Sequence, residues 1–486
     1  MPALLKYSTF LCAVFTLAGL SATAFSAYAQ QGESLLTGVH ATAAAKSVSS
    51  AEVRTLEDAF RDAYSHNPTL EAARAELRSV KERIPQAYAN FKPVITAKAG
   101  ITSAEIEGSE FNIPGTASNE GTTSKDISLT INQPVYRGGR SSAQLSAARY
   151  IVAAQEAIYQ QTLQSVMLDV VSAYMDVVRD RATLDLNLNN RDILFKQLEQ
   201  TQERFNVGEL TMTDIAQAKA RLAAADADII SVRASLRSSE ARFEEVVGYP
   251  PHKLTQSNVF IDIPQTRESA IDIAEAVAPM IKAAVNTQRA AEDDVDNVFG
   301  ELLPEIGFTA QWARTYDPQP GTVPEQTNKS VALNATLPLY QAGAVRSRLR
   351  QVKEISMQRA QEVREATASV RQEIISSWEN LMAAQAELEA RKVQIEAASL
   401  ARDGVAQEEQ VGERTVLDTL DAEQEYLQAQ VDMVSAQRNE IVARFTLASI
   451  LGYLTPENIG FVHKKIEQGR YQESIDQQIL QTNVDR

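Results

Sequence analysis

Apolar positions along this chain follow two spacing rules, and each rule is used twice. Ile95, Ala97, Ala99 and Ile101 fall on alternate residues, with Thr96, Lys98 and Thr102 on the opposite side. The same period returns at Ile127, Leu129 and Ile131 against Ser128, Thr130 and Asn132. Alternation of this kind reads as a strand with one apolar and one polar face. It predicts a strand hairpin over about 94–133, around a Gly/Ser/Asn/Glu-rich loop at 103–124. From about Ser141 to Asn206 the spacing lengthens: Leu163, Met167, Val170, Tyr174 and Val177 step by fours and threes. That is the seam of a helix packed along a neighbour. No proline interrupts it, and at about 1.5 Å per residue the helix would be roughly 100 Å long. The return helix, from about Thr213 to Val247, is rich in alanine (Ala216, Ala218, Ala220, Ala223, Ala224, Ala225), which lets helices approach closely.

The programme then repeats. Ile306, Phe308, Ala310 and Trp312 alternate, followed by Val331, Leu333, Ala335 and Leu337, predicting a second strand hairpin over about 305–337. A second helical hairpin follows over about 345–451, with Ile374, Trp378, Leu381 and Leu388 at the positions of Val170, Tyr174, Val177 and Leu184. Tyr174 and Trp378 read as packing residues. The two hairpin tips, around Gly208 and Gly412, lie 204 residues apart, as do Asp214 and Asp418. Glycine there ends one helix, and a following Thr or Asp can cap the next. Pro93 and Pro304 lie 211 apart; the offset drops to 204 because the second strand loop is seven residues shorter. Shorter helices precede each strand pair. Thr55-Leu56-Glu57-Asp58 opens the first in capping-box style; His66-Asn67-Pro68 breaks it, and a further helix runs from about Pro68 to Tyr88. Ala278-Pro279 makes the corresponding break before a helix to Phe299.

The organisation expected is therefore a signal peptide (1–29), a flexible leader (30–50), a first repeat (51–251), a linker (252–267), a second repeat (268–452), and an equatorial segment with a polar tail (453–486). The tail carries a weak strand or turn at Ile459-Gly460-Phe461-Val462. The fold class is mainly α with a membrane β-barrel, built from a duplicated strand–strand–long helical hairpin.

Composition narrows the function. Aromatic residues make up 6% of 486, which suits long, closely packed helices rather than a thick globular core. The formal net charge of −16 argues against a nucleic-acid partner, which requires a basic face. Lys6, the apolar run Phe10–Leu20 and Ala27-Tyr28-Ala29 form an export signal with a small-residue cleavage site. Cys12, the only cysteine, sits in that run and is not preceded by a lipid-attachment box, so the processed chain would hold no thiol. Beyond Ala29 no apolar run is long enough for a membrane-spanning helix. Membrane insertion would require a closed β-barrel, because strand edges cannot stay unpaired in lipid. Two strands per repeat are too few to enclose a wide lumen. Three copies would supply twelve strands, within the range of outer-membrane barrels of about 8 to 26. The histidines (His40, His66, His252, His463) are scattered, and no metal spacing, nucleophile elbow or phosphate loop is present. An enzyme is not expected, and neither is a cofactor.

The stretches TLEDAFRDAYSHNPTLEAAR, SLTINQPVYRGGR, RFNVGELTMTDIAQAKARL, FEEVVGYPP, LPLYQAG, VGERTVLDTLDAEQEYLQAQ and LGYLTP resemble the TolC family of outer-membrane exit ducts, over nearly all of Ala51–Pro456. The resemblance implies a homotrimer with a twelve-stranded barrel in outer-membrane lipid of a Gram-negative bacterium. Below it would hang an α-helical periplasmic tunnel girdled by an equatorial domain. It also implies a periplasmic adaptor and an inner-membrane ABC, RND or MFS pump as partners, with drugs or secreted proteins as cargo. Absence of the lipid-attachment cysteine points to the non-lipidated branch.

In that family polar links between the hairpins hold the periplasmic mouth closed. Thr213 and Asp214 match the first-hairpin partners and Arg414 the second-hairpin arginine; the family's assisting tyrosine falls at Glu409, which could instead pair with Arg414 locally. Asp418 and Asp421, three apart, share a helix face. In a trimer they would form two stacked rings of carboxylates at the narrowest point, favouring cations, although an aspartate in a first helical turn also serves the helix dipole. Val207, Gly208, Val411 and Gly412 would be the tips that adaptors dock on, or simply turn chemistry. The competing reading is a secreted coiled-coil scaffold or adhesin without a pore, which the strand alternation opposes.

Overall fold

The computed structural model describes residues 54–104, 122–255, 261–319 and 323–459. The expected signal and leader, Cys12, His40, His463, the chain after 459 and most of the 103–124 loop lie outside the described residues.

Three helices open the described chain: α1 (Leu56–His66), α2 (Pro68–Lys81) and α3 (Arg83–Tyr88). Thr55 and Asp58 form the capping box of α1. Asn67 ends α1 and caps α2, its Oδ1 accepting from the backbone N–H of Thr69 at 2.9 Å; its Nδ2 donates to the Val246 carbonyl at 2.8 Å, fixing the break to another helix. The single helix expected over 68–88 is two helices. Pro85 has no N–H to offer the carbonyl four residues back, at Lys81, and α2 stops there.

The strands β1 (Val94–Ala104), β2 (Thr122–Arg137), β3 (Glu305–Gln319) and β4 (Val323–Thr336) form one antiparallel sheet in the order β1-β2-β3-β4. Ala97 pairs with Leu129, Leu129 with Trp312 and Ala310 with Val331, so the alternating apolar residues share a face. Strand β2 runs past Pro134 to Arg137, beyond its expected end. A bulge between Pro134 and Tyr136 leaves Val135 without a partner on β3, directly after the proline that has no N–H for the ladder. Gly138 (φ +61°) then brings its backbone against Gly300, where a Cβ on either glycine would collide with the other's carbonyl oxygen.

The long helices are α4 (Arg140–Asn206) and α5 (Met212–Val247) in the first repeat, and α8 (Ala344–Gln410) and α9 (Val416–Ile450) in the second. Before the second strand pair come α6 (Arg267–Val277) and α7 (Pro279–Phe299); a short turn, α10 (Pro456–Ile459), lies where a weak strand or turn was expected to begin. Among the described residues no helix is long and apolar enough to cross a membrane.

The duplication reappears as two hydrophobic cores. The first joins Leu56 and Phe60 of α1, Met167, Val170, Tyr174 and Val177 of α4, Phe243 of α5 and Phe445 of α9, all buried. The second joins Ala270 and Ala274 of α6, Ile374 and Leu381 of α8, and Leu447 of α9. Each repeat therefore places its seam residues in a core, and α9 contributes to both. Tyr174 is fully buried, and its hydroxyl donates toward the carbonyl oxygens of Thr255 (2.6 Å) and Arg54 (3.1 Å). Trp378 packs, half-buried, against the second core.

Candidate functional site: the hairpin tips

Both hairpins turn by the same local chemistry. At the first tip Glu209 N–H donates to the Arg204 carbonyl and Gly208 N–H to that of Phe205, each at 2.9 Å. At the second, Glu413 N–H donates to Glu408 at 2.9 Å and Gly412 N–H to Glu409 at 3.0 Å. These bonds satisfy the last carbonyls of α4 and α8, and they require the left-handed conformation at Gly208 (φ +85°) and Gly412 (φ +82°). The next helices start in capping boxes. Asp214 Oδ2 accepts from the backbone N–H and hydroxyl of Thr211, each at 2.8 Å. Asp418 Oδ2 does the same at Thr415, at 2.9 and 2.8 Å. The N–H donated by Thr211, then its hydroxyl, holds the Asp214 carboxyl below the usual aspartate range, and Thr415 acts likewise on Asp418.

The hairpins are tied to each other near these tips. Arg204 at the end of α4 reaches Glu409 at the end of α8, Nη1 to Oε1 2.5 Å, with the Glu409 side chain only 10% exposed. Arg204 also meets Glu209 at 3.2 Å. Two turns further in, Arg221 of α5 pairs with Asp421 of α9. Between the two ties Leu194 and Leu198 of α4, Ile215 and Ala218 of α5, and Val416 and Leu420 of α9 form a buried apolar cluster. Farther along, Arg438 of α9 donates to Asp176 of α4 at 2.9 Å.

The residues singled out from the sequence fall into this frame unequally. Arg414 turns to Glu408 at 2.9 Å, within its own hairpin. Asp214 is engaged in its cap, and Thr213 is exposed beside it. Within the protomer these three are not brought together. Glu409 joins Arg204 across the hairpins instead of Arg414 locally. Asp418 and Asp421, expected to act alike, differ: the first is a capping residue and the second an ion-pair partner. Val207 and Val411, each 73% exposed, crown the tips beside Gly208 and Gly412.

Arg204 and Arg221 escaped sequence reasoning. A signal was present, because the duplication aligns Arg204 with Glu408 and Arg221 with Glu425, reversing the charge between repeats. Among the described residues no group of three or more His, Cys, Asp or Glu is placed to hold a metal ion.

A duplicated strand-pair and long-hairpin chain, with an open antiparallel sheet above tied helical tips, defines the subunit of an outer-membrane exit channel. The chain belongs to the outer membrane efflux protein family, whose model matches residues 59–249 and 270–453, one stretch in each repeat. It is 32% identical to the outer membrane efflux protein BepC of Brucella suis biovar 1, over 84% of this chain and 87% of that one. It is 25% identical to the outer membrane protein TolC of Escherichia coli, over 84% of each. The fold matches the crystal structure of the outer membrane protein VceC of Vibrio cholerae with a TM-score of 0.70, at 20% identity, covering 82% of this chain and 96% of that one. The protein is a non-enzymatic outer-membrane efflux channel of the TolC family.

Proposed function

We propose that three copies of the chain close a twelve-stranded barrel and a helical tunnel, forming a passive duct that a periplasmic adaptor and an inner-membrane ABC, RND or MFS pump load with drugs or secreted proteins. The observation that carries this reading is the open sheet: β1 and β4 each pair on one side only among the described residues. In lipid such edges must be satisfied, and the order β1-β2-β3-β4 leaves β4 of one copy free to meet β1 of the next. The sheet exposes Ile95, Ile101, Ile127, Leu129, Val331 and Leu333, a suitable lipid face. Tyr136 and Tyr340, exposed at the strand–helix joints, would lie at the membrane boundary. Helix α8 leaves Val393 (68%) and Leu400 (76%) open, surface that a neighbouring copy would cover.

Most of the chain then lies in the periplasm, with Val207, Gly208, Val411 and Gly412 as the adaptor-docking tips. Separating the hairpins opens the mouth, and Arg204–Glu409 is the latch inside each protomer. Arg414 does not meet Thr213 or Asp214 within one copy; a link between protomers would draw Arg414 from its exposed pair with Glu408 to the Thr213–Asp214 corner of the next copy. Asp418 and Asp421 line the constriction.

The test is twofold. Purified protein should migrate as a heat-modifiable trimer and conduct ions in planar bilayers. A detergent-stable single copy that inserts and conducts, or a soluble rod that does not, would overturn the proposal; the second result would favour a scaffold.

A further inference from the structure

Resting on the channel reading above, we infer that Arg221 sets the ion selectivity of the constriction by masking Asp421 while the hairpins are together, so that opening the mouth unmasks a ring of carboxylates.

Asp418 and Asp421 sit on one face of α9, yet their surroundings differ. Asp418 is held by its own helix: its Oδ2 accepts from the Thr415 N–H and hydroxyl. Those partners move with it when α9 moves, so its environment survives any rigid displacement of the hairpin. The partner of Asp421 is Arg221, which belongs to α5 and thus to the other hairpin. A displacement that parts α5 from α9 must break this pair. The side chains are 38% and 54% exposed, so water can replace each partner at little cost.

The duplication sharpens the point. The residue of the first hairpin equivalent to Asp421 is Gln217, and the residue of the second equivalent to Arg221 is Glu425. The pair is therefore not inherited from a symmetric ancestor position. One repeat carries a cation and the other an anion at two non-equivalent sites that the fold places in contact. The latch at the tips has the same polarity, with Arg204 on the first hairpin and Glu409 on the second.

The consequence for conduction follows from charge alone. With Arg221 in place, each Asp421 carboxylate is compensated by a guanidinium, and only Asp418 contributes a fixed negative ring. Once the hairpins part, three further carboxylates face the pore with no counter-charge attached. Rings of acidic side chains select cations, and their influence reaches about 8 Å at physiological ionic strength. Opening thus changes the chemistry of the constriction as well as its width.

The experiment measures reversal potentials across planar bilayers in a potassium chloride gradient. The unaltered trimer is compared with Arg221→Gln, Asp421→Asn, the double variant, and the exchanged pair Arg221→Asp with Asp421→Arg. Arg221→Gln should raise the cation-to-anion permeability ratio about threefold. Asp421→Asn on the unaltered chain should lower the ratio, because it leaves the Arg221 guanidinium without its counter-charge, and on Arg221→Gln it should cancel the gain. The exchanged pair should restore the original ratio. An unchanged ratio in a conducting Arg221→Gln trimer would overturn the masking and leave the channel reading intact. So would a double variant whose ratio equals that of Asp421→Asn alone, because Arg221 would then have no effect at the constriction. An assembled trimer that conducts in none of these forms would overturn the channel reading and this inference with it.

Discussion

Arg204 and Glu409 stand 205 residues apart in the chain and 2.5 Å apart in the fold, joining the ends of the two longest helices. The carboxylate is nearly enclosed and the guanidinium half-exposed, so the bond is directional but open to water from one side. Removing either member by Glu409→Gln or Arg204→Gln should weaken the closed mouth by about 1 kcal/mol, roughly a fivefold shift toward open. Single-channel conductance should rise in both variants, and Arg204→Glu combined with Glu409→Arg should return it toward the original. Equal conductance in all forms would remove this pair from the gate.

The strand register between copies can be derived from the duplication. Strand β4 is the repeat of β2, and β3 that of β1, so the observed pairing of Leu129 with Trp312 should recur between copies. It places Leu333 opposite Ile101 of the partner subunit. Leu333→Cys combined with Ile101→Cys should cross-link copies on the membrane in high yield. Cross-linking of Leu333→Cys to Ala99→Cys in preference would show a different register.

The two faces of β4 should differ sharply in tolerance. Leu333→Arg would put a cation against lipid, at a cost of about 2–4 kcal/mol near mid-membrane. The neighbouring Asn334→Arg points to the other side and should be accepted. The yield of heat-modifiable trimer in outer membranes measures both, and equal yields would mean that the faces are misassigned.

Acid should loosen the tips. The carboxyls of Asp214 and Asp418 are lowered by their capping bonds in the folded state. Their contribution is thus fully present above the ordinary aspartate pKa and is lost as pH falls through the lowered value. Proteolysis at the tips should accelerate in that acidic window. At neutral pH, Asp214→Ala should mimic the effect by removing the N3 half of its capping box, and Asp418→Ala should act in the same direction. A cleavage rate at the tips that ignores both pH and substitution would sink the explanation.

Tyr174 offers a test of the first core. Tyr174→Phe keeps the ring but leaves the Thr255 and Arg54 carbonyls without its hydroxyl. It should lower stability by about 1–2 kcal/mol. Tyr174→Ala also removes the buried ring, at about 3–5 kcal/mol. Thermal dissociation of the trimer should rank unaltered, Phe and Ala variants in that order.

What the sequence determined by itself is the periodic part of the molecule. Strand alternation, the four-three seam through Val170 and Tyr174, and the glycine tips are all local patterns, and a pattern repeated at a fixed offset is legible without coordinates. Departures within those elements were also local: the split at Pro85 and the bulge after Pro134 each follow from a missing N–H. The tertiary structure alone decided which charges meet. Many arginines and carboxylates line these helices, and their spacing along the chain does not say which helix faces which. Helix rotation and axial offset, set by the packing of Leu194, Ile215 and Leu420, brought Arg204 to Glu409 and Arg221 to Asp421 and left Arg414 with its neighbour Glu408. An ion pair depends on a few ångströms of relative placement, a quantity that only the packed core fixes.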